Sequence, residues 1–357
     1  MPSPTWLIYG ASGYTGELIA DEAVRRGHRP LLAGRSAARL KPLADRLSLT
    51  YRAAALDDEQ AVAQALAGVQ LVLHAAGPFA QTSAPMLAAC LRAGVHYLDI
   101  TGEVPVFEQA FTQQAAAEAA GVMVLPGVGF DVVPSDCLAG YVAALLPGAT
   151  ELELAVASTS TVSAGTSQSA IEQLPRGALV RRAGQLVPAR LGAGARRLRF
   201  TDGRRVQERL GLVTSWGDLA TAYRSTGIPN LTTYLCYPPR AAAALRWAGP
   251  ALQWLMRARP ARRLMQALVA RTVRGPDAEL RARGRGFVWA RAARPDGQER
   301  QAWLMTPEVY HFTALAAVRC VERVFARPQA GAFTPAQAFG PELVGEIPGV
   351  ERFDALP

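Results

Sequence analysis

The seven residues Gly10-Ala11-Ser12-Gly13-Tyr14-Thr15-Gly16 constrain this chain more than any other stretch. They follow a short apolar run, Trp6–Tyr9, and open a helical pattern, Tyr14–Arg26, that stops at Gly27. A strand, a glycine turn and a helix in that order make the first βα unit of a dinucleotide-binding sheet. Gly10 permits the tight turn, Gly13 lets backbone approach a pyrophosphate, and Gly16 lets helix and strand pack closely. The helix N-terminus then offers unpaired N–H groups and a positive dipole end to phosphates. The spacing G-x-x-G-x-x-G is a variant of the commoner fingerprint, and a glycine turn without a ligand is the competing reading.

The alternation continues down the chain. Pro30–Ala33, Tyr51–Leu56, Leu71–Ala75, His96–Ile100 and Val122–Leu125 read as further strands. Between them lie helices at Ala37–Leu47, from Asp57 or Asp58 to about Ala67, at Ala84–Ala93 and at Val106–Ala120. Helical crossovers imply a parallel sheet covered on both faces, and six strands complete a Rossmann-type doubly wound sheet. After Pro126 the pattern changes. A helix near Cys137–Leu146 precedes strands at Glu151–Ser158, Arg197–Phe200, Tyr234–Tyr237 and Arg285–Arg291, and Gln298–Leu304 pairs with the last across Pro295–Gly297. This spacing predicts an inserted mixed α/β (α+β) domain. A helix from Val309 to about Phe325 then returns. The expected plan is α/β overall: a Rossmann domain over residues 1–129 completed by 306–357, and a substrate or dimerisation domain over 130–305, with a homodimer left open.

The end of the second strand selects the nucleotide. NAD-specific sites place Asp or Glu there, on the ribose 2′-OH. This strand ends Ala33-Gly34-Arg35-Ser36, with no carboxylate. Arg35 suits stacking on adenine and pairing with a 2′-phosphate, and Ser36 can donate a hydrogen bond, so NADP(H) is expected. A solvated surface arginine is the alternative for Arg35. At the end of the fourth strand, Ala76-Gly77-Pro78 are small enough for a dinucleotide to pass over the backbone. The expected cofactor set is therefore Gly10, Ser12, Gly13, Tyr14, Thr15, Gly16, Arg35, Ser36, Ala76, Gly77 and Pro78. His74, alone on an apolar strand, reads as structural.

Ligands of open α/β sheets bind at the carboxyl ends of the strands. The fifth strand delivers Asp99, Thr101 and Glu103 to that edge, and the segment after the sixth delivers Gly129, Phe130, Asp131 and Asp136. Asp131, Glu103 and Thr166 are the candidates for chemistry. Asp131 suits orienting a substrate or relaying a proton, with turn bonding as the alternative. Gly165-Thr166 opens a helix whose N–H groups can face a carbonyl or phosphate, with a plain capping turn as the alternative. Asp136 reads better as a helix cap. No unique proton donor stands out. The only lysine, Lys41, sits on a surface helix, which argues against Schiff-base chemistry. The four cysteines form no C-x-x-C pair, so neither a metal site nor a redox dithiol is expected.

The formal charge is +9, almost all the cations are arginine, and no nucleic-acid-binding motif accompanies them. Residues 238–274 stand out: eight arginines, no acidic residue, and Leu245, Trp247, Leu252, Trp254, Leu255, Met256, Leu264, Met265, Leu268 and Val269 between them. They read as two basic amphipathic helices broken near Pro260, suited to a membrane surface, an acyl carrier protein or a lipid-like substrate. An ordinary packed helical pair is the alternative. Met1–Pro4 is short and uncharged, unlike a leader, and no stretch approaches a membrane span, so a cytoplasmic protein is expected, with peripheral membrane contact open through 238–274.

The ordered set of motifs also resembles one family. Gly10–Gly16, Gly34-Arg35, Ala75–Phe79, His96–Glu103 and Gly127–Asp136 follow the order seen in the saccharopine dehydrogenase-like family, and Ser163–Thr166, Ser225–Asn230 and Thr334–Ala336 with Phe339-Gly340 fit as well. Within it the chain looks most like the branch of trans-acting enoyl reductases. The resemblance implies an NAD(P)H-dependent oxidoreductase that transfers hydride from NADPH to a C=C bond of an enoyl, lipid- or polyketide-like substrate, small or carrier-bound. A dehydrogenase acting on a C=N bond of an amino acid or polyamine, and a non-catalytic, lipid-associated NADP-binding partner, are the alternatives. The chain lacks the lysine of the lysine-forming saccharopine dehydrogenases, so lysine biosynthesis is not expected.

Overall fold

Trp6–Tyr9 is apolar at every position because it runs through the middle of a sheet covered on both faces. A computed structural model describes residues 5–190, 194–237 and 239–357. Met1–Pro4, Pro238 and the side chains of Leu245 and Arg246, all used above, lie outside the described residues. The chain forms two compact units, 1–131 with 310–339, and 132–309 with 340–357.

In the first unit, β1 (Trp6–Tyr9) is followed by α1 (Tyr14–Arg25), β2 (Leu31–Gly34), α2 (Ala37–Leu47), β3 (Tyr51–Ala53) and α3 (Glu59–Leu66). Then come β4 (Leu71–His74), α4 (Phe79–Ala93), β5 (His96–Asp99), α5 (Val104–Phe111), α6 (Gln114–Ala120) and β6 (Met123–Leu125). All pairings are parallel, in the order β6-β5-β4-β1-β2-β3. A seventh strand, Gly331–Ala332, adds beside β6, one more than the six expected. The register places Tyr9 beside both Ala33 and His74, and His74 beside Asp99. Four strands thus end together, and the loops that follow them share one sheet edge.

Two helices differ from the sequence reading. α4 begins at Phe79 rather than Ala84, because a carboxylate from another loop holds its first N–H groups, as described below. The single helix expected over Val106–Ala120 is two, α5 and α6. The helix Val309–Ala326 contributes Phe312, fully buried, with its ring edge-on to Phe130 at 5.7 Å. Arg26, at the end of α1, bridges Glu22 at 2.5 Å and Glu322 of that helix at 3.2 Å.

The second unit contains α7 (Val133–Ala144), β7 (Glu151–Ser158), α8 (Ala164–Gln173), β8 (Ala178–Arg182), β9 (Gln185–Ala189), β10 (Arg196–Thr201), β11 (Val206–Val213) and α9 (Asp218–Thr226). β12 (Asn230–Tyr237), α10 (Pro239–Met256), α11 (Arg259–Thr272), α12 (Ala278–Arg283), β13 (Arg285–Ala293) and β14 (Glu299–Pro307) follow. Its sheet runs β10-β11-β12-β7-β13-β14, and only β12 and β7 pair in parallel. The β8–β9 hairpin attaches at β12. Phe200, Phe287, Trp289 and Trp303 form the core on one face. The tail Gly340–Pro357 packs in this unit, because its strand Glu351–Phe353 pairs with β14, whereas the sequence reading carried it with the Rossmann domain.

Phe312→Ala should cost about 3–5 kcal/mol, as aromatic truncations in closed cores do. Urea unfolding measures this; a loss below about 1 kcal/mol would remove the returning helix from the first unit's core.

Candidate functional site

The shared edge is built around the turn after β1. Gly10 sits at φ +86°, and a Cβ there would lie 2.7 Å from Ala76 N and 2.9 Å from Ala75 C. Only glycine lets the β1 and β4 loops approach so closely. Gly10 N and Ala11 N both donate to Ala33 O, which ties the turn to β2. At Gly16 a Cβ would run into Gly10 O, so α1 packs flush against the turn. Gly13 is the N-cap of α1, with extended backbone and no side chain capping the helix. The first-turn N–H groups are therefore offered outward, as a pyrophosphate requires. Tyr14 packs edge-on to Tyr310 at 5.0 Å, while Ser12 and Thr15 are half-buried on the turn.

Arg35 follows β2, exposed and without an ion pair among the described residues. Ser36 is the N-cap of α2, and its hydroxyl makes no capping bond. Arg39, which sequence reasoning missed, donates to Ser12 O at 3.2 Å and so reaches the rim of the glycine turn. Its signal was a second arginine in the first turn of the helix that follows β2. On the β4 side, Thr82 Oγ1 donates to Ala76 O at 2.6 Å, and Gly77 is exposed. His74 is fully buried with Nε2 3.0 Å from Thr82 Oγ1, and burial pushes its pKa down to about 3, so it is neutral.

Three carboxylates reach the same edge, in different states. Asp99, fully buried, accepts from Tyr97 Oη at 2.8 Å, Thr101 N at 2.9 Å and Gly127 N at 3.0 Å. It locks the loops after β5 and β6 together. Burial lifts its pKa to about 6 against these bonds. Glu103 accepts from Phe79 N and Ala80 N, each at 3.0 Å, one with each oxygen. It is the cap of α4, which makes it a positioning residue rather than a free acid. Asp131 is different. The residue is half-buried, its Oδ1 is covered and accepts no hydrogen bond among the described residues, and its Oδ2 lies where a Cβ on Gly102 would be. Burial raises its pKa to about 7. Such a group holds a proton near neutrality and can release it.

The remaining candidates belong to the second unit. Thr166 N donates to Ser163 Oγ at 3.3 Å, so Ser163 caps α8 and the Thr166 N–H is taken up in that cap. Asp136, on α7, accepts from Ser225 Oγ at 2.6 Å.

A seven-stranded parallel sheet with an uncapped glycine turn at its carboxyl edge is the arrangement of Rossmann-type dinucleotide-binding domains. Residues 6–125 match the family described as the saccharopine dehydrogenase NADP binding domain. A putative trans-acting enoyl reductase of Mycobacterium tuberculosis is 37% identical over 162 residues, covering 41% of this chain and 37% of that protein. A trans-acting enoyl reductase of Mycobacterium leprae is 33% identical over 138 residues, covering 36% and 33% respectively. The match therefore spans little more than a third of these relatives. Among solved structures, apo saccharopine dehydrogenase (L-Glu forming) of Saccharomyces cerevisiae superposes with a TM-score of 0.66 over 99% of this chain and all of that one, at 13% identity, which shows a shared fold.

Glu103→Gln should destabilise the first unit by about 1–3 kcal/mol, because an amide N–H₂ then faces a helix N–H. Asp131→Asn should behave oppositely. Asp131 binds its proton more tightly folded than unfolded, so its favourable contribution is complete below about pH 4 and is lost as pH rises through about 7. Asp131→Asn should therefore gain stability relative to the parent above pH 7. Thermal melts at pH 5 and pH 8.5 separate the two; equal behaviour of both variants would contradict the assignment.

Proposed function

We propose that the protein is an NADPH-dependent reductase that delivers hydride to the C=C bond of an enoyl substrate. The observation that carries this reading is Asp131, a carboxyl poised to be protonated at the carboxyl edge of the sheet. Support also comes from the relatives, which are named as enoyl reductases. They are named as trans-acting, so a carrier-bound acyl chain handled by another protein is the substrate class proposed here.

The glycine turn fits the cofactor. Gly10 and Gly16 leave room for nothing but backbone, and the uncapped start of α1 points N–H groups outward. Gly10, Ser12, Gly13, Tyr14, Thr15 and Gly16 would hold the pyrophosphate and its flanking sugars, and Ala76, Gly77 and Pro78 the chain beyond. Arg35, Ser36 and Arg39 would hold the 2′-phosphate. When bound, NADPH supplies a hydride for the β-carbon. Asp131 supplies the balancing proton: Oδ–H breaks, the α-carbon gains a C–H bond, and the electrons of that O–H bond stay on the carboxylate. Solvent protonates the carboxylate again before the next turnover, which its high pKa favours at or below about pH 7. Glu103 and Asp99 take no proton-transfer role; they hold the loops that place Asp131 and Gly77.

Binding and turnover measurements test this. Arg35→Asp should weaken NADPH binding at least about tenfold and leave NADH binding nearly unchanged, since a charge-assisted contact is lost to the 2′-phosphate alone. Fluorescence titration reads both; equal losses would remove Arg35 as the discriminator. With enoyl thioesters, imino acids and ketones assayed in parallel for NADPH oxidation, only the enoyl thioesters should be consumed. Asp131→Asn should lower kcat by about 100-fold or more with the NADPH Kd kept, and the parent rate should fall as pH rises above about 7. Turnover of imino acids alone, or full activity of Asp131→Asn, would overturn the reading.

A further inference from the structure

The helical pair α10–α11 exposes apolar surface to a degree found nowhere else among the described residues. The large apolar side chains most open to solvent are Trp247 at 89%, Leu264 at 73% and Trp254 at 71%, and all three lie in this pair. Leu268 and Leu255 add to them. A tryptophan that open has no packing role in the fold.

The exposure follows from helix geometry. α10 buries Ala242, Gly249 and Met256, spaced seven apart and therefore on one stripe. Trp247 and Trp254 each lie two positions, about 200°, away from a member of that stripe, so they point away from the unit. Ala251 and Leu255 share their side of the helix. In α11 the half-buried residues Arg262, Met265, Gln266 and Val269 form the inward face. Arg262 and Gln266 both bond Glu172 of α8, at 3.5 and 3.0 Å. Leu264, Ala267 and Leu268 are left on the outward face.

The charge carried by the pair itself has one sign. Residues 238–274 contain no Asp or Glu. Arg240, Arg257, Arg259, Arg263, Arg271 and Arg274 are exposed and form no ion pair among the described residues. Two helices that each carry an outward apolar stripe and unpaired arginines, with two tryptophans on α10, have the composition of interfacial helices lying in the headgroup layer of an anionic bilayer. No helix among the described residues is long and apolar enough to cross a membrane, so contact would be from the side of the helices.

We propose that α10 and α11 dock the protein on an anionic phospholipid surface, with Trp247, Trp254, Leu264 and Leu268 entering the headgroup boundary and the arginines meeting lipid phosphates. The charge complementarity selects an anionic partner, and the tryptophans select one with an apolar phase beneath its charge. An acidic carrier protein supplies the first without an apolar interior to enter. The inference does not depend on the reductase reading, because it concerns a surface and not the sheet edge.

The test uses the full chain and vesicles of phosphatidylcholine with or without phosphatidylglycerol, at 50 mM and 500 mM salt. The protein should sediment with the anionic vesicles at low salt, at least tenfold more than with neutral ones, and high salt should reduce this. Tryptophan emission should shift to the blue on binding, since Trp6, Trp289 and Trp303 are already buried. The Trp247→Ser/Trp254→Ser variant should lose the shift and at least tenfold in binding. Replacement of Arg257, Arg259, Arg263 and Arg271 by Gln should lose the preference for anionic lipid. Unchanged near-ultraviolet circular dichroism and NADPH binding show that each variant is folded. Any of four results overturns the proposal: no vesicle binding at low salt, equal binding to neutral vesicles, an intact response in the tryptophan variant, or association with an acidic acyl carrier protein or with itself that the tryptophan variant abolishes while vesicles are ignored.

Discussion

Everything proposed for the first unit depends on the contact between Gly10 and the backbone at Ala75 and Ala76. No side chain fits there, and the left-handed φ of Gly10 excludes most residues on conformational grounds as well. The contact brings the turn after β1 against the loop after β4, and Gly16 brings α1 down on the turn. What results is a rigid strip of backbone whose outward groups are N–H donors. N–H groups at a helix start suit phosphates before any side chain is counted.

Carboxylates then hold the rest of the edge. Asp99 joins the loops after β5 and β6 by accepting N–H bonds from both, and Glu103 holds the start of α4. Both are fully engaged, so their charge is used to order backbone. Asp131 lies at the same edge with a covered oxygen and no donor to satisfy it. The difference is one of partners and not of residue type. Burial raises the pKa of Asp99 and N–H bonds hold it to about 6, while burial pushes Asp131, whose Oδ1 accepts no N–H bond among the described residues, up to about 7.

Much of this was legible in the sequence and some of it was not. The glycine turn and the strand–helix alternation were readable, because each rests on local spacing. The start of α4 was not, since the group that caps it, Glu103, lies 24 residues further on. The strand Gly331–Ala332 is two residues long and exists only because β6 offers it a parallel edge. β8, β9 and β11 were missed because arginine, glutamine and glutamate interrupt their alternation on half-exposed faces. Asp131 and Glu103 were named together, as acids at one edge. Telling the acid from the cap required knowing which N–H groups surround each, and that is non-local. Arg39 was overlooked although its place in the first turn of the helix after β2 was visible.

In the proposed reaction a dinucleotide cradle and a protonated carboxyl at one sheet edge would perform a reduction in which hydride and proton come from different sources. Label transfer tests it most directly. With NADPH deuterated on the transferred face of its nicotinamide C4, and an enoyl thioester in ordinary water, mass spectrometry of the product should find one deuterium, at the β-carbon. With unlabelled NADPH in heavy water, it should find one deuterium at the α-carbon, because the Asp131 proton exchanges with solvent. A product that carries no label from NADPH, or that takes both hydrogens from solvent, would contradict the account.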